Sequence, residues 1–208
     1  MATIFRTWSY QYPWFYTLIS GLATLNVGGK QRFHHLPLQD LSLTSQHTVL
    51  DLCCGGGQAT QYLVATGAQV TGLDASPKAL ARAKLAVPEA TYVQGMAEAL
   101  PFGDNTFDVV HTSVALHEMT PVQLQQILTG VYRVLKPGGI FTFVDLHRPH
   151  NWLFWPPLAV FMWVFETETA WQLINTNLLA LLEQQGFSSQ RQTLYAGGSL
   201  QVIQAQKC

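Results

Sequence analysis

Two carboxylates and a glycine-rich turn carry the first chemical signal in the chain. Val49-Leu50-Asp51-Leu52-Cys53-Cys54-Gly55-Gly56-Gly57 runs from a short apolar stretch through an acidic residue into small residues and three glycines. Glycines at such a turn let backbone N–H groups approach a ligand closely, and open parallel sheets bind their ligands at the carboxyl ends of the strands. Asp74 follows 23 residues after Asp51, at the end of a second apolar run. A carboxylate there can accept both hydroxyls of a ribose, so the pair implies a nucleoside. Two other nucleotide sites are excluded: Gly55, Gly56 and Gly57 do not give the G-x-G-x-x-G of a dehydrogenase, and no Lys follows the loop as a P-loop requires.

A second set of reactive side chains lies further along: His117 with Glu118, then Asp145, His147, Arg148 and His150. Imidazole titrates near neutrality, which makes His117 the candidate general base. Glu118 beside it can raise its basicity, and His147 is a further catalytic candidate. Arg148 is a candidate for substrate contact, with Tyr16, Trp152 and Trp155 as apolar partners. Plainer readings stand beside these: His117 as a hydrogen-bonded loop histidine, His111 as a structural strand end, and the stripe from Trp152 to Phe165 as core or dimer interface. Cys53 and Cys54 read as small residues filling tight space, and no metal site is expected from them.

The elements that must position these groups alternate between short β-rich runs and helical patterns. Strands are expected over 48–52, 69–73, 91–94, 107–111 and 140–145, the last after the Pro137-Gly138-Gly139 turn. Helices are expected over 58–66, from the Ser76 cap and Pro77 to 86, and over 121–135. The stretch 151–165 is apolar but interrupted by Pro156-Pro157; a helix over 170–185 ends at Gly186; two β-like runs, 188–195 and 200–206, meet at Gly197-Gly198 as a hairpin. The fold class is therefore α/β, a doubly wound, mostly parallel seven-stranded sheet closed by an antiparallel C-terminal hairpin.

Five runs in order carry a family resemblance: residues 49–57; Val70-Thr71-Gly72-Leu73-Asp74-Ala75-Ser76; Ala97-Glu98-Ala99-Leu100-Pro101-Phe102; Phe107-Asp108-Val109-Val110; and Arg133-Val134-Leu135-Lys136-Pro137-Gly138-Gly139. Together they resemble the motif set of class I S-adenosylmethionine-dependent methyltransferases, which have a Rossmann-like fold. The resemblance implies that Asp51, Cys53, Gly55 and Gly57 line the methionine end of the cofactor. It gives Asp74, with Ala75, the ribose, Ala97 the adenine through its N–H, and Ser113 the place beneath the sulfonium. Cys53 stands where many members have Gly, and Met96 where many have Asp, leaving its thioether to stack on adenine. The segment from Tyr12 to Arg32 and Gly197-Gly198 further resemble the quinone and menaquinone C-methyltransferases, the methyltransferase type 11 group. Those carry an Arg-Asn pair where this chain has His117-Glu118.

Composition bounds the rest. The 208 residues suit a single domain, expected as an N-terminal helical lid (1–45), a cofactor core (46–145), an apolar lid insertion (146–170) and a C-terminal helix and hairpin (171–208). Charged residues are only 11% and the net charge is −1, so the chain has no footprint for nucleic acid. No apolar run is long enough to span a bilayer, and three cysteines cannot build a disulfide framework; a cytoplasmic protein is expected. Fourteen of 24 aromatic residues, including all six Trp, fall within 1–16 and 151–171. Such flanks suit a hydrophobic small-molecule acceptor, a prenylated quinol or related isoprenoid or lipid first of all, with a peripheral membrane contact and a homodimer as further expectations. The alternative is a non-catalytic cofactor-binding protein that docks a membrane or partner through those flanks.

Overall fold

The structure, a computed structural model, describes residues 27–165 and 168–208. Tyr16 and the expected N-terminal lid up to residue 26 lie outside the described residues, as does Glu166.

Seven strands form one sheet: β1 Thr48–Leu52, β2 Gln69–Asp74, β3 Thr91–Gln94, β4 Phe107–Ser113, β5 Leu135–Leu146, β6 Phe187–Tyr195 and β7 Leu200–Lys207, in the order β3-β2-β1-β4-β5-β7-β6. The first five are parallel, and β7 runs antiparallel to both β5 and β6. This is the expected doubly wound sheet with its closing hairpin. Strand order reverses between β1 and β4, whose neighbouring carboxyl ends open the crevice in which such sheets take ligands. Register there sets Asp51 opposite both Gly72 of β2 and His111 of β4.

Both faces of the central strands are covered, which is why they read as continuous apolar runs. Leu50, Leu52, Val110, Phe141 and Phe143 pack with Leu124, Ile127, Leu128 and Val131 of a long helix, while Val49, Val70 and Val109 meet Leu63 and Leu38 on the other side. The described helices are α1 Lys30–His35, α2 Thr60–Val64, α3 Pro77–Ala86, α4 Pro121–Val134, α5 Trp155–Phe165, α6 Glu168–Ile174 and α7 Leu178–Gln184. Ser76 caps α3 as expected, and Thr120 with Gln123 closes a reciprocal capping box on α4.

Three expectations are corrected. Pro156-Pro157 does not interrupt a helix but sits in the first turn of α5, where the missing N–H costs nothing. The single helix expected over 170–185 is two, because Asn175 and Thr176 bond back to the carbonyls of Trp171 and Gln172 and Asn177 caps a new start at Ala180 N. Finally, β5 begins at Leu135, ahead of the glycine turn, so Pro137-Gly138-Gly139 lies inside the strand.

Candidate active site

The turn after β1 is held in a conformation that most residues avoid. Cys53 (φ 58°), Gly55 (φ 56°) and Gly57 (φ 86°) are all left-handed, and only for the glycines is this free of cost. A Cβ on Gly57 would meet Ala83 Cα at 3.4 Å, an ordinary contact, so it is the left-handed backbone that calls for glycine here. Asp74, half-buried at the end of β2, accepts the backbone N–H of Gly55 at 2.9 Å and of Ser76 at 2.8 Å. Gly95 N donates to the Asp74 carbonyl at 3.2 Å, which brings Ala75 and the 51% exposed Met96 to the same end of the sheet. Ala97, next along, is buried.

Asp51 turns inward instead. Its side chain is 1% exposed; one oxygen accepts the Thr60 hydroxyl at 2.6 Å and the other lies 3.0 Å from His111 Nδ1. Both oxygens are engaged inside the protein, so the carboxylate braces the floor of the loop whose methionine end the resemblance assigns to it. Asp51 ties β1 to α2 and to β4 beneath the loop.

Ser113 ends β4, and the residue after it was not foreseen. Val114 has φ 53° and donates to the Val144 carbonyl at 2.8 Å. A β-branched residue in the left-handed region costs about 1–2 kcal/mol and marks a place where packing overrides local preference. With Cys53 it puts two strained residues at the carboxyl ends of adjacent strands β1 and β4. No residue-type signal points to Val114.

His117 lies in a 3-10 turn, Leu116–Glu118, and is buried. Its Nδ1 sits 2.7 Å from Oδ1 of Asp145, a fully buried carboxylate near the end of β5. Asp145 also accepts Leu116 N at 2.8 Å and Leu146 N at 2.7 Å, so it fixes both the turn and the ring. A carboxylate oxygen accepts, so Nδ1 of the ring donates to Asp145. Asp145 had stood only as a member of a polar cluster; an acid between Val144 and Leu146 at a strand's carboxyl end was the signal for its role. Glu118 is half-buried in the same turn.

The remaining candidates fall on the path out of β5. His147 Nδ1 is 2.8 Å from the Gly198 carbonyl and its N–H donates to Ser199 at 3.0 Å, which makes it a tie between β5 and the hairpin turn. Arg148 lies over the Trp155 ring at 5.9 Å, and Trp155 meets Trp171 edge-on at 6.2 Å. Trp152 points outward, 77% exposed. Burial pushes the Cys53 thiol up to about 12, with Asp74 and Asp51 adding to it, and burial raises Cys54 likewise. Both thiols are therefore protonated near neutral pH, the unreactive form.

A family model described as a methyltransferase domain matches residues 49–139, the stretch from β1 into β5 that carries the cofactor-side residues. Over 205 residues the chain is 74% identical to an uncharacterized methyltransferase of Synechocystis sp., covering 99% of this chain and 97% of that one. The chain belongs to the methyltransferase family. This methyltransferase is also 31% identical over 191 residues to the 2-phytyl-1,4-naphtoquinone methyltransferase of Thermosynechococcus vestitus, covering 80% of this chain and 84% of that protein. Its fold matches that of a SAM-dependent methyltransferase from Methanosarcina mazei with a TM-score of 0.63 at 22% identity, over 82% of this chain and 97% of that one.

S-adenosylmethionine is the cofactor that goes with this enzyme class, and the residues present fit it. The left-handed turn at Gly55 and Gly57 is a cradle that any side chain would strain. Asp74 offers a carboxylate with lone pairs beyond its two backbone bonds for the ribose hydroxyls. Met96 presents an exposed thioether on the adenine side.

Proposed function

We infer that this methyltransferase methylates a hydrophobic small molecule, a prenylated quinol or closely related isoprenoid being the acceptor that fits best. The observation that carries the reading is the buried His117–Asp145 pair at the carboxyl ends of β4 and β5, beside the aromatic segment that follows β5. The phytylated quinone in the name of the Thermosynechococcus relative supports it.

Asp145 holds the imidazole in the tautomer whose Nε2 can accept a proton, and it stabilises the imidazolium that forms. His117 Nε2 removes the proton of a ring hydroxyl, which raises electron density on the oxygen and on the adjacent ring carbon. Bound at the turn after β1, S-adenosylmethionine supplies an electrophilic methyl group on a sulfonium centre. Leu146, the neighbour of Asp145, packs with Leu158 and Trp171 in one apolar cluster, the kind of surface that suits an apolar acceptor next to the pair. Gly55, Gly57 and Asp74 fix the donor side, so the protein's part is alignment and proton removal.

Calorimetric titration with S-adenosylmethionine and S-adenosylhomocysteine, on wild type and Asp74→Ala, comes first. Wild type is expected to bind, with the substitution weakening binding about tenfold or more, as loss of hydrogen bonds to a charged group does. Methyl transfer to a detergent-dispersed prenylated quinol should then follow and should be lost in His117→Ala. Cofactor binding with no turnover on any prenylated quinol would overturn the acceptor assignment and favour a cofactor-binding scaffold.

A further inference from the structure

We propose that the outer face of the α5 segment is a lipid-binding surface, seating the protein on an anionic bilayer so that the acceptor reaches the His117–Asp145 pair directly from the membrane. Trp152 (77% exposed), Leu153 (59%), Val160 (61%) and Trp163 (60%) crowd a dozen residues of chain, with Trp155 at their edge. Together they make up five of the nine exposed large hydrophobic side chains among the described residues. Soluble surfaces seldom gather such groups without an occupant.

Charge selects the occupant. From Leu146 to Phe165 the chain contains no Asp or Glu, and Arg148 is its one permanent cation, flanked by His147 and His150. Arg148 stacks over Trp155 at 5.9 Å, at the rim of the apolar face. An apolar, Trp-rich surface with a guanidinium at its rim, on a stretch that has no carboxylate before Glu166, matches a negatively charged lipid surface, where Trp settles at headgroup depth and the cation adds attraction.

The face is presented by the fold rather than left loose. Leu158 and Met162 pack beneath it on Leu146, Ala170 and Ile174, while His150 N and Asn151 N both donate to the Gly197 carbonyl at the hairpin turn. At about 16 Å, an eleven-residue helix is too short to cross a bilayer, and no described helix is long and apolar enough to do so. Lying on the surface is the geometry left to it. The root of the segment is Leu146, the neighbour of Asp145, and α6 packs against the turn that holds His117.

The surface rests on the proposed acceptor only for its purpose, and its test needs neither cofactor nor acceptor. The full chain is sedimented with vesicles of phosphatidylcholine mixed with phosphatidylglycerol, and with vesicles of phosphatidylcholine alone. Binding to the anionic vesicles is expected, weaker on the neutral ones, with a blue shift of Trp emission. The triple variant Leu153→Ser, Val160→Ser, Trp163→Ser should lower partitioning about tenfold or more, while its melting temperature and cofactor binding stay at wild-type values. Arg148→Glu should lower binding about tenfold on anionic vesicles and leave it unchanged on neutral ones. Wild type that stays in the supernatant with both vesicles, or a triple variant that pellets like wild type, overturns the proposal. A triple variant that changes only the oligomeric state in sedimentation velocity overturns it too, and makes the face a contact between copies. Wild type that turns over detergent-dispersed quinol but binds neither vesicle strikes the surface alone; wild type that binds vesicles but turns over no quinol strikes the acceptor reading alone.

Discussion

His117 Nδ1 and Asp145 Oδ1 stand 2.7 Å apart, joining the turn after β4 to the end of β5 inside the protein. Every oxygen of Asp145 faces an N–H donor: the ring, Leu116 N and Leu146 N. Asp145→Asn would place an NH2 group against one of these donors and favour the wrong tautomer of His117. Turnover is expected to fall about a hundredfold or more, with stability down by about 1–3 kcal/mol. Cofactor affinity should not change. Wild-type turnover in the variant would sink the dyad as the base.

The close approach of the hairpin turn to the segment after β5 is a second testable feature. Gly197 has φ 63°, and a Cβ there would overlap the Phe154 ring. Gly197→Ala therefore pays twice, in backbone strain and in displacement of Phe154, for about 1–3 kcal/mol in all. Hydrogen exchange should speed up over residues 150–165 while β1 and β4 keep their protection. Uniform acceleration across the sheet would show that the contact is not local.

What could be read from residues alone follows a physical divide. The parallel core was legible because strands buried on both faces leave apolar runs, and because Ser76, Gly67 and Gly186 end or begin elements by local chemistry. Pro156-Pro157 misled, since proline breaks a helix inside but starts one at its first turn. The split at Asn175 to Asn177 depends on side chains folding back onto the preceding turn, a competition that periodicity does not register. At the site, His117 was visible by type, but its partner lies 28 residues away and is chosen by tertiary structure. The inward turn of Asp51 likewise depends on Thr60 and His111 meeting it.

Thiol chemistry gives a direct check on the loop after β1. Burial, with Asp74 and Asp51 nearby, pushes Cys53 up to about 12 and raises Cys54 as well, whereas Cys208 is exposed. Thiolate is the reactive form, so iodoacetamide at pH 8 should label the native protein at Cys208 and leave the other two intact. All three should react once the chain is unfolded. Rapid labelling of Cys53 in the native state would mean that the turn opens and that its left-handed backbone is not held.

Acid sensitivity should trace to His34 on α1. Its ring stacks on Tyr62 at 4.9 Å, and Nδ1 is buried without a hydrogen-bond partner among the described residues. Burial, reinforced by His111, lowers its pKa from 6.5 to about 4, although Asp51 pulls the other way. The unfolded chain thus takes up a proton between those values while the folded ring stays neutral. Stability is complete above pH 6.5, falls as pH drops through this window, and levels off near pH 4. His34→Phe keeps an aromatic ring on Tyr62 and removes the titration. Urea unfolding at pH 7 and pH 4.5 should show wild type losing about 2 kcal/mol more than the variant, a figure that already allows for the partial exposure of the ring. Equal losses would mean that His34 is protonated as readily in the fold as outside it, and that α1 does not seal the ring over His111.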